Sequence, residues 1–184
     1  MHENQLVHCD IKPSNIMLFS VATWKLIDFD ETRTVNDDSA TRFTPAYAPP
    51  EIIMAAQDRE ENPSLRTSID MWSFGIIVYE VIEGKKLLEQ STHLNIINIG
   101  KRFYSDELTA ADVARLLDSN IVEVNLRTVK DEACRRILRN LLVTDPSARW
   151  TAEETMQAEL FKSDGWTSTE GVASMGDISA AGKG

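Results

Sequence analysis

His8-Cys9-Asp10-Ile11-Lys12-Pro13-Ser14-Asn15-Ile16-Met17-Leu18, followed by Trp24-Lys25-Leu26-Ile27-Asp28-Phe29-Asp30, is the stretch whose reading decides the fold. Asn15 lies five residues after Asp10, and Asp28 lies thirteen residues after Asn15. Between them, Ile16-Met17-Leu18-Phe19 and Trp24-Lys25-Leu26-Ile27 are short apolar runs separated by Ser20-Val21-Ala22-Thr23. Two antiparallel strands built from those runs fold Asp28 back beside Asn15. Two acids and an amide brought together in this way are hard oxygen donors, as a magnesium-dependent phosphoryl-transfer site requires.

Three further patterns lie downstream in order. Thr44-Pro45-Ala46-Tyr47-Ala48-Pro49-Pro50-Glu51 comes first, then Asp70-Met71-Trp72-Ser73-Phe74-Gly75, then Leu142-Val143-Thr144-Asp145-Pro146-Ser147-Ala148-Arg149. Taken with the opening stretch, this series resembles eukaryotic protein kinases of the serine/threonine type over about residues 1–162. The first stretch is similar to their catalytic loop and metal-binding loop. The second is similar to the close of the activation segment, and the third to the start of the buried central helix.

The resemblance implies a role for each residue. Asp10 matches the catalytic aspartate that takes or orients the substrate hydroxyl proton, and Lys12 would set an ammonium on the transferred phosphate. Lys12-Pro13 is the serine/threonine pattern rather than the tyrosine one. Asn15 and Asp28 would ligate Mg2+, with Lys12 completing the ATP-binding set. His8 would brace the metal loop, and Thr44 would tie Asp10 to Lys12. Asp70 would accept hydrogen bonds from the catalytic-loop backbone, although an acid at a helix start is also favoured by capping and dipole. Arg149 would pair with Glu51. The implied activity is transfer of the ATP γ-phosphate to Ser/Thr hydroxyls of protein substrates. A binding or scaffold module that docks partners without transfer, and an inactive gene fragment, stand as alternatives.

The implied fold is mainly α with one small β-hairpin (α+β), a protein kinase-like C-terminal lobe without the N-terminal β lobe. Residues 163–184, dominated by glycine, serine and alanine, are expected to form a disordered tail. The catalytic loop begins at residue 8. A glycine-rich phosphate loop and a strand lysine therefore cannot precede it within this sequence. The reading is a truncated product, a misplaced start or a piece of a longer gene, whose missing lobe is a partner for exposed apolar surface.

Two positions depart from the pattern. Cys9 stands where kinases usually carry the arginine that anchors activation-loop phosphate, and it reads either as a redox-sensitive thiol or as a buried inert one. Asp30 replaces the glycine of Asp-Phe-Gly. Glycine there permits backbone angles other residues resist, and the extra carboxylate could slow the loop or serve as a spare metal ligand.

The rest of the sequence bounds the class. A length of 184 residues, 42% hydrophobic and 26% charged, suits one soluble globular domain. A net charge of -10 opposes general nucleic-acid binding. Phe74–Ile82 is too short to span a bilayer, and no signal-peptide core opens the chain. Two cysteines, Cys9 and Cys134, make no disulfide framework, so an intracellular, cytoplasmic setting is expected. Residues 31–47 read as a mobile surface loop. A helix apolar on nearly every face is expected from about Asp70 to a stop at Gly84. Thr109 with Asp112 reads as a helix start, while residues 85–108 show no clear order. Cys134, Ile137, Leu138, Leu141 and Leu142 fall at helical spacing. Thr151 with Glu154 predicts a capping box for a last helix through about Leu160.

Overall fold

The computed structural model describes residues 1–21, 23–37, 42–55, 65–85, 87 and 119–161. A single 3-10 turn at His2–Asn4 leads into strand β1 (Leu6–Val7). The apolar runs then pair as expected, in β2 (Ile16–Ser20) and β3 (Thr23–Leu26), with Ile16 opposite Leu26 and Leu18 opposite Trp24. One more backbone bond, Ile27 N–H to Asn15 O at 3.0 Å, extends the ladder and sets Asp28 next to Asn15 along the chain's return path.

The reading of residues 31–47 as a mobile loop is corrected in part. Arg33–Thr34 forms β4, which pairs antiparallel with β1, Leu6 opposite Thr34 and Val7 opposite Arg33. Val35 N–H to Gln5 O (2.8 Å) and Asn36 N–H to Leu65 O (2.9 Å) continue the tie. Two polar residues carry no hydrophobic alternation, so the strand exists only because a distant backbone presents partners. Residues 38–41 of that segment lie outside the described residues.

Helix α1 (Pro50–Ala55) starts on a proline, whose missing N–H costs nothing in a first turn. It buries Ile52 and Ile53. Helix α2 (Ser68–Glu83) is the buried centre, with Ile69, Met71, Trp72, Ile76, Ile77 and Tyr79 inside. Gly84 ends it in the left-handed region (φ 66°), its N–H returning to Glu80 O. Burial stops before the apolar run does, because Val81 is 79% exposed.

Helices α3 (Ser119–Leu126) and α4 (Glu132–Leu141) pack on α2 and on each other. Asp131 caps α4 by accepting from Cys134 N–H, and α4 buries Ile137, Leu138 and Leu141. One core cluster joins Trp72, Ile76 and Tyr79 to Val122, Leu126, Val129, Leu138 and Leu142. A second sets Met71, Ile137 and Leu141 against Phe74, Trp150 and Phe161. The α2–α4 contact is close enough that a Cβ on Gly75 would stand 2.9 Å from Leu141 Cβ and 2.9 Å from Leu142 Cδ2. Gly75→Ala is therefore expected to cost about 1–3 kcal/mol through overpacking. A urea midpoint equal to the parent's would show that α4 yields without cost.

Helix α5 (Ala152–Met156) has the expected capping box between Thr151 and Glu154. It is shorter than expected, ending at Met156, after which Glu159–Phe161 turns as a 3-10 helix. The expected helix start at Thr109 and the expected tail at 163–184 lie outside the described residues. No helix among the described residues is long and apolar enough to cross a membrane.

Candidate active site

Asp10 sits at the end of the loop that leaves β1, 13% exposed, surrounded by donors. Lys12 Nζ donates to its Oδ2 at 2.5 Å. Thr44 donates twice to Oδ1, from its N–H at 3.1 Å and its hydroxyl at 2.7 Å. Lys12 also donates to Thr44 Oγ1 at 3.1 Å, closing a triangle of acid, ammonium and hydroxyl. Charge-assisted bonds of this kind fix orientation as well as adding energy. The carboxylate is thus held against rotation by residues from two separate segments.

Asn15 is buried, and its Nδ2 donates to Asp10 O (2.9 Å) and Asp10 Oδ2 (3.3 Å). Both donations commit the amide nitrogen to Asp10, which turns Oδ1, a hard oxygen, away as the acceptor end. Ser14 Oγ touches that oxygen only at 3.5 Å. Asp28 lies two residues past the end of β3, with an exposed side chain and φ 64°. Left-handed backbone at a non-glycine residue is uncommon and held by its surroundings, often at functional sites.

Those surroundings are His8 and Phe29. His8 is fully buried, its Nε2 meets Ile27 O at 3.2 Å, and its ring lies 5.3 Å from that of Phe29. The positive φ falls on Asp28 and Cys9 (φ 67°), and Asp30 has none. Asp30 thus stands at the family's glycine position without using the angles that glycine alone adopts freely. Asp30 enters a turn closed by Thr32 N–H to Phe29 O at 3.0 Å, and its carbonyl accepts from Arg33. Cys9 is 4% exposed, its thiol directed to Val7 O at 3.6 Å.

Asp70, 1% exposed near the start of α2, accepts His8 N–H at 2.8 Å and Cys9 N–H at 3.0 Å. Glu51 and Arg149 meet in a two-pronged pair, at 2.7 and 3.1 Å. The structure therefore bonds Asp10, Lys12, Asn15 and Thr44 into one cluster, and Asp70 with the His8 and Cys9 amides into a second, joined to the first through the Cys9–Asp10 peptide bond. Glu51 and Arg149 form a separate clasp between the starts of α1 and α2 and the loop after α4.

Three contacts escape sequence reading. His2 Nε2 lies 2.8 Å from Asp70 Oδ2, across 68 positions with no spacing rule to reveal it. Tyr47 donates to Glu80 Oε2 at 3.1 Å, and Ser73 Oγ donates to Tyr47 O at 2.8 Å. These bonds pin the segment carrying Thr44 onto α2. Burial, then the neighbouring Glu80 carboxylate, push the Tyr47 phenol from 10.0 up to about 12. A folded value above the unfolded one means this contribution is whole below pH 10 and is lost as pH rises through about 12. Urea midpoints of Tyr47→Phe are therefore expected to fall less steeply than the parent's across that window. Parallel curves would deny the coupling.

The donors at this corner suit magnesium. Among the described residues no three His, Cys, Asp or Glu side chains converge on a metal-sized point. What Asn15 and Asp28 offer is one amide oxygen and one carboxylate. That is the sparse protein share of an ion bound mainly by phosphate and water.

A buried central helix gripping the loop of an acid, a lysine and an amide, beside a hairpin that returns a second acid, defines the protein kinase class. The protein kinase domain matches residues 1–161, and the chain belongs to that family. It is 29% identical over 182 residues to cyclin-dependent kinase C-2 of Arabidopsis thaliana, covering 89% of this chain and 34% of that protein. It is 30% identical over 169 residues to the phosphorylase b kinase gamma catalytic chain, liver/testis isoform, of Rattus norvegicus, covering 88% and 37%. The yeast RNA polymerase II CTD kinase CTDK-1 complex superposes with a TM-score of 0.63 at 23% identity, over 88% of this chain and 57% of that one. This last likeness bears on fold alone. The chain spans roughly a third of the length of these two curated relatives. Protein kinases as a family use ATP with Mg2+.

Proposed function

We propose that this chain is the catalytic half of a protein serine/threonine kinase. The observation that carries the reading is the Asp10–Lys12–Thr44 triangle, with Asn15 bonded into it. In this reading Asp10 receives the proton of a substrate Ser or Thr hydroxyl as its oxygen attacks the γ-phosphorus and the bond to the ADP oxygen breaks. Lys12 sets its charge against the phosphoryl oxygens, and Thr44 holds both groups in register. Asn15 Oδ1 and Asp28 would hold Mg2+, which when bound neutralises charge on the phosphates. Lys12-Pro13 with Thr44 favours Ser/Thr over Tyr acceptors, by resemblance.

The finer part of the proposal is that this half works with a β-rich half that covers ATP. The hairpin supports it. Met17, Leu18, Phe19 and Trp24 are 51%, 51%, 68% and 64% exposed, a run of large apolar side chains on one small sheet. Leu18 and Trp24, opposite each other, share one face while Met17 alternates to the other, and apolar exposure of this kind marks a contact surface.

The test joins the chain in frame to the ATP-covering half of a related kinase and supplies γ-labelled ATP, Mg2+ and a mixed peptide pool. Label on Ser and Thr, lost with EDTA, is the expected result. Label on Tyr alone would overturn the acceptor assignment. No label in a correctly folded fusion would leave a binding module as the better account.

A further inference from the structure

We propose that Glu31 is a positioning residue for Thr44 and, through Thr44, for Asp10. The inference rests on the reading of Asp10 as the proton acceptor. Glu31 Oε2 accepts the backbone N–H of Arg42 at 2.9 Å. Two residues on, the backbone N–H of Thr44 donates to Asp10 Oδ1 at 3.1 Å. Two carboxylates from different parts of the chain thus take alternate amides of one short stretch. That stretch ends in Thr44, whose hydroxyl meets both Asp10 and Lys12.

Downstream, Thr44 is firmly held. Pro45–Tyr47 is a 3-10 turn, closed by Tyr47 N–H to Thr44 O at 2.9 Å and pinned to α2 where the Tyr47 carbonyl accepts from Ser73. Upstream, the Arg42 amide is held on Glu31, and that acceptor has a fixed seat. Its neighbour Thr32 closes a turn onto Phe29 O at 3.0 Å, and Arg33 after it belongs to β4, paired with β1. The Arg33 guanidinium donates to Asp30 O at 3.1 Å and to Thr32 O at 2.9 Å, which stiffens the backbone on both sides of Glu31. Releasing the Arg42 amide would free the chain to swing about Phe43, and the Thr44 hydroxyl would swing with it. Because β1 runs into the loop that carries Asp10, Glu31 and Asp10 share one support. The bond therefore fixes Thr44 relative to the carboxylate it orients. Arg33 lies 3.6 Å from the same Glu31 oxygen, a long and partly exposed pair of little worth. The hydrogen bond, not the charge, carries the role.

Amide hydrogen exchange in the 184-residue chain, read by NMR, tests the hold without any need for turnover. Glu31→Ala removes the acceptor, whereas Glu31→Gln keeps a carbonyl oxygen at the same reach and loses the charge. Exchange at the Arg42 and Thr44 amides is expected to quicken about five- to tenfold in E31A and to stay near the parent's rate in E31Q. The Leu138 amide, in the core of α4, should be unchanged in both. In the fused two-half protein, E31A should lower kcat about five- to tenfold with KM for ATP within about twofold, and E31Q should restore kcat. Unchanged Thr44 exchange in E31A would overturn the proposal. So would an E31Q variant as fast as E31A, an equal rise at Leu138, or a parental kcat in E31A. A parent fusion that labels nothing is instead a failure of the kinase reading, and the exchange rates then still decide whether Glu31 holds Thr44.

Discussion

Asp10→Asn is expected to lower phosphoryl transfer by about 10²–10⁴-fold in the fused, two-half protein, the range a positioned proton acceptor contributes. The substitution is nearly isosteric, so its remaining carbonyl oxygen can keep the two bonds from Thr44. The other carboxylate oxygen becomes an NH2 facing Lys12 Nζ, now 2.5 Å away, and Asn15 Nδ2 at 3.3 Å. Three donors then point at one another, and Lys12 must move. The proton acceptor and the anchored ammonium are lost together, while Asn15 and Asp28 are untouched. The fall should therefore appear in kcat, with KM for ATP changed by no more than about threefold. Initial rates over a range of ATP concentrations measure both constants. Equal kcat in parent and variant would remove Asp10 from the proton transfer.

Arg149→Ala carries the largest expected effect on stability. The arginine side chain has 0% exposure and makes five donations. Two go to Glu51 (2.7 and 3.1 Å), one to Ser68 O (2.8 Å) and two to Val143 O (2.8 and 3.2 Å). Its guanidinium also lies 5.1 Å from the Trp72 ring centre, within reach of a cation–π contact. Truncation leaves a cavity, two carbonyls without their donor and Glu51 without its counter-charge. Breaking such a pair from one side costs about 3–5 kcal/mol, and a fall in Tm of about 10 °C follows for a domain of this size. Glu51 remains 25% exposed, so water recovers part of its solvation and the cost belongs at the lower end. Arg149→Lys should rescue little, because one ammonium cannot fork onto Glu51 while serving two carbonyls. Unchanged melting temperature and protease resistance in Arg149→Ala would count against the clasp.

How far the site is legible in the sequence depends on how far apart its partners lie. The hairpin is readable because two apolar runs flank a short polar turn, and its register then returns Asp28 beside Asn15. Lys12 and Asn15 are readable because both lie within five residues of Asp10. Resemblance extends the reading to Thr44, Asp70 and the Glu51–Arg149 pair, which no local rule would join. The pairing of β1 with β4, the hold of His2 on Asp70, and the Tyr47–Glu80 bond are not readable in this way. Each joins residues 26 or more positions apart through polar groups that carry no periodic signal. Asp30, which stands where the family pattern has glycine, adopts no positive φ, whereas Asp28, two residues earlier, does.

By itself, the sequence determined the pieces whose energetics close over a few residues. These are the β2–β3 hairpin, the Thr151 cap, the left-handed stop at Gly84 and the amphipathic face of α4. Only the tertiary structure decided which buried donors face the Asp70 carboxylate. The reason is physical. A cap or turn gains its hydrogen bond inside one stretch of chain, whereas a buried carboxylate collects donors from wherever the packed core delivers them.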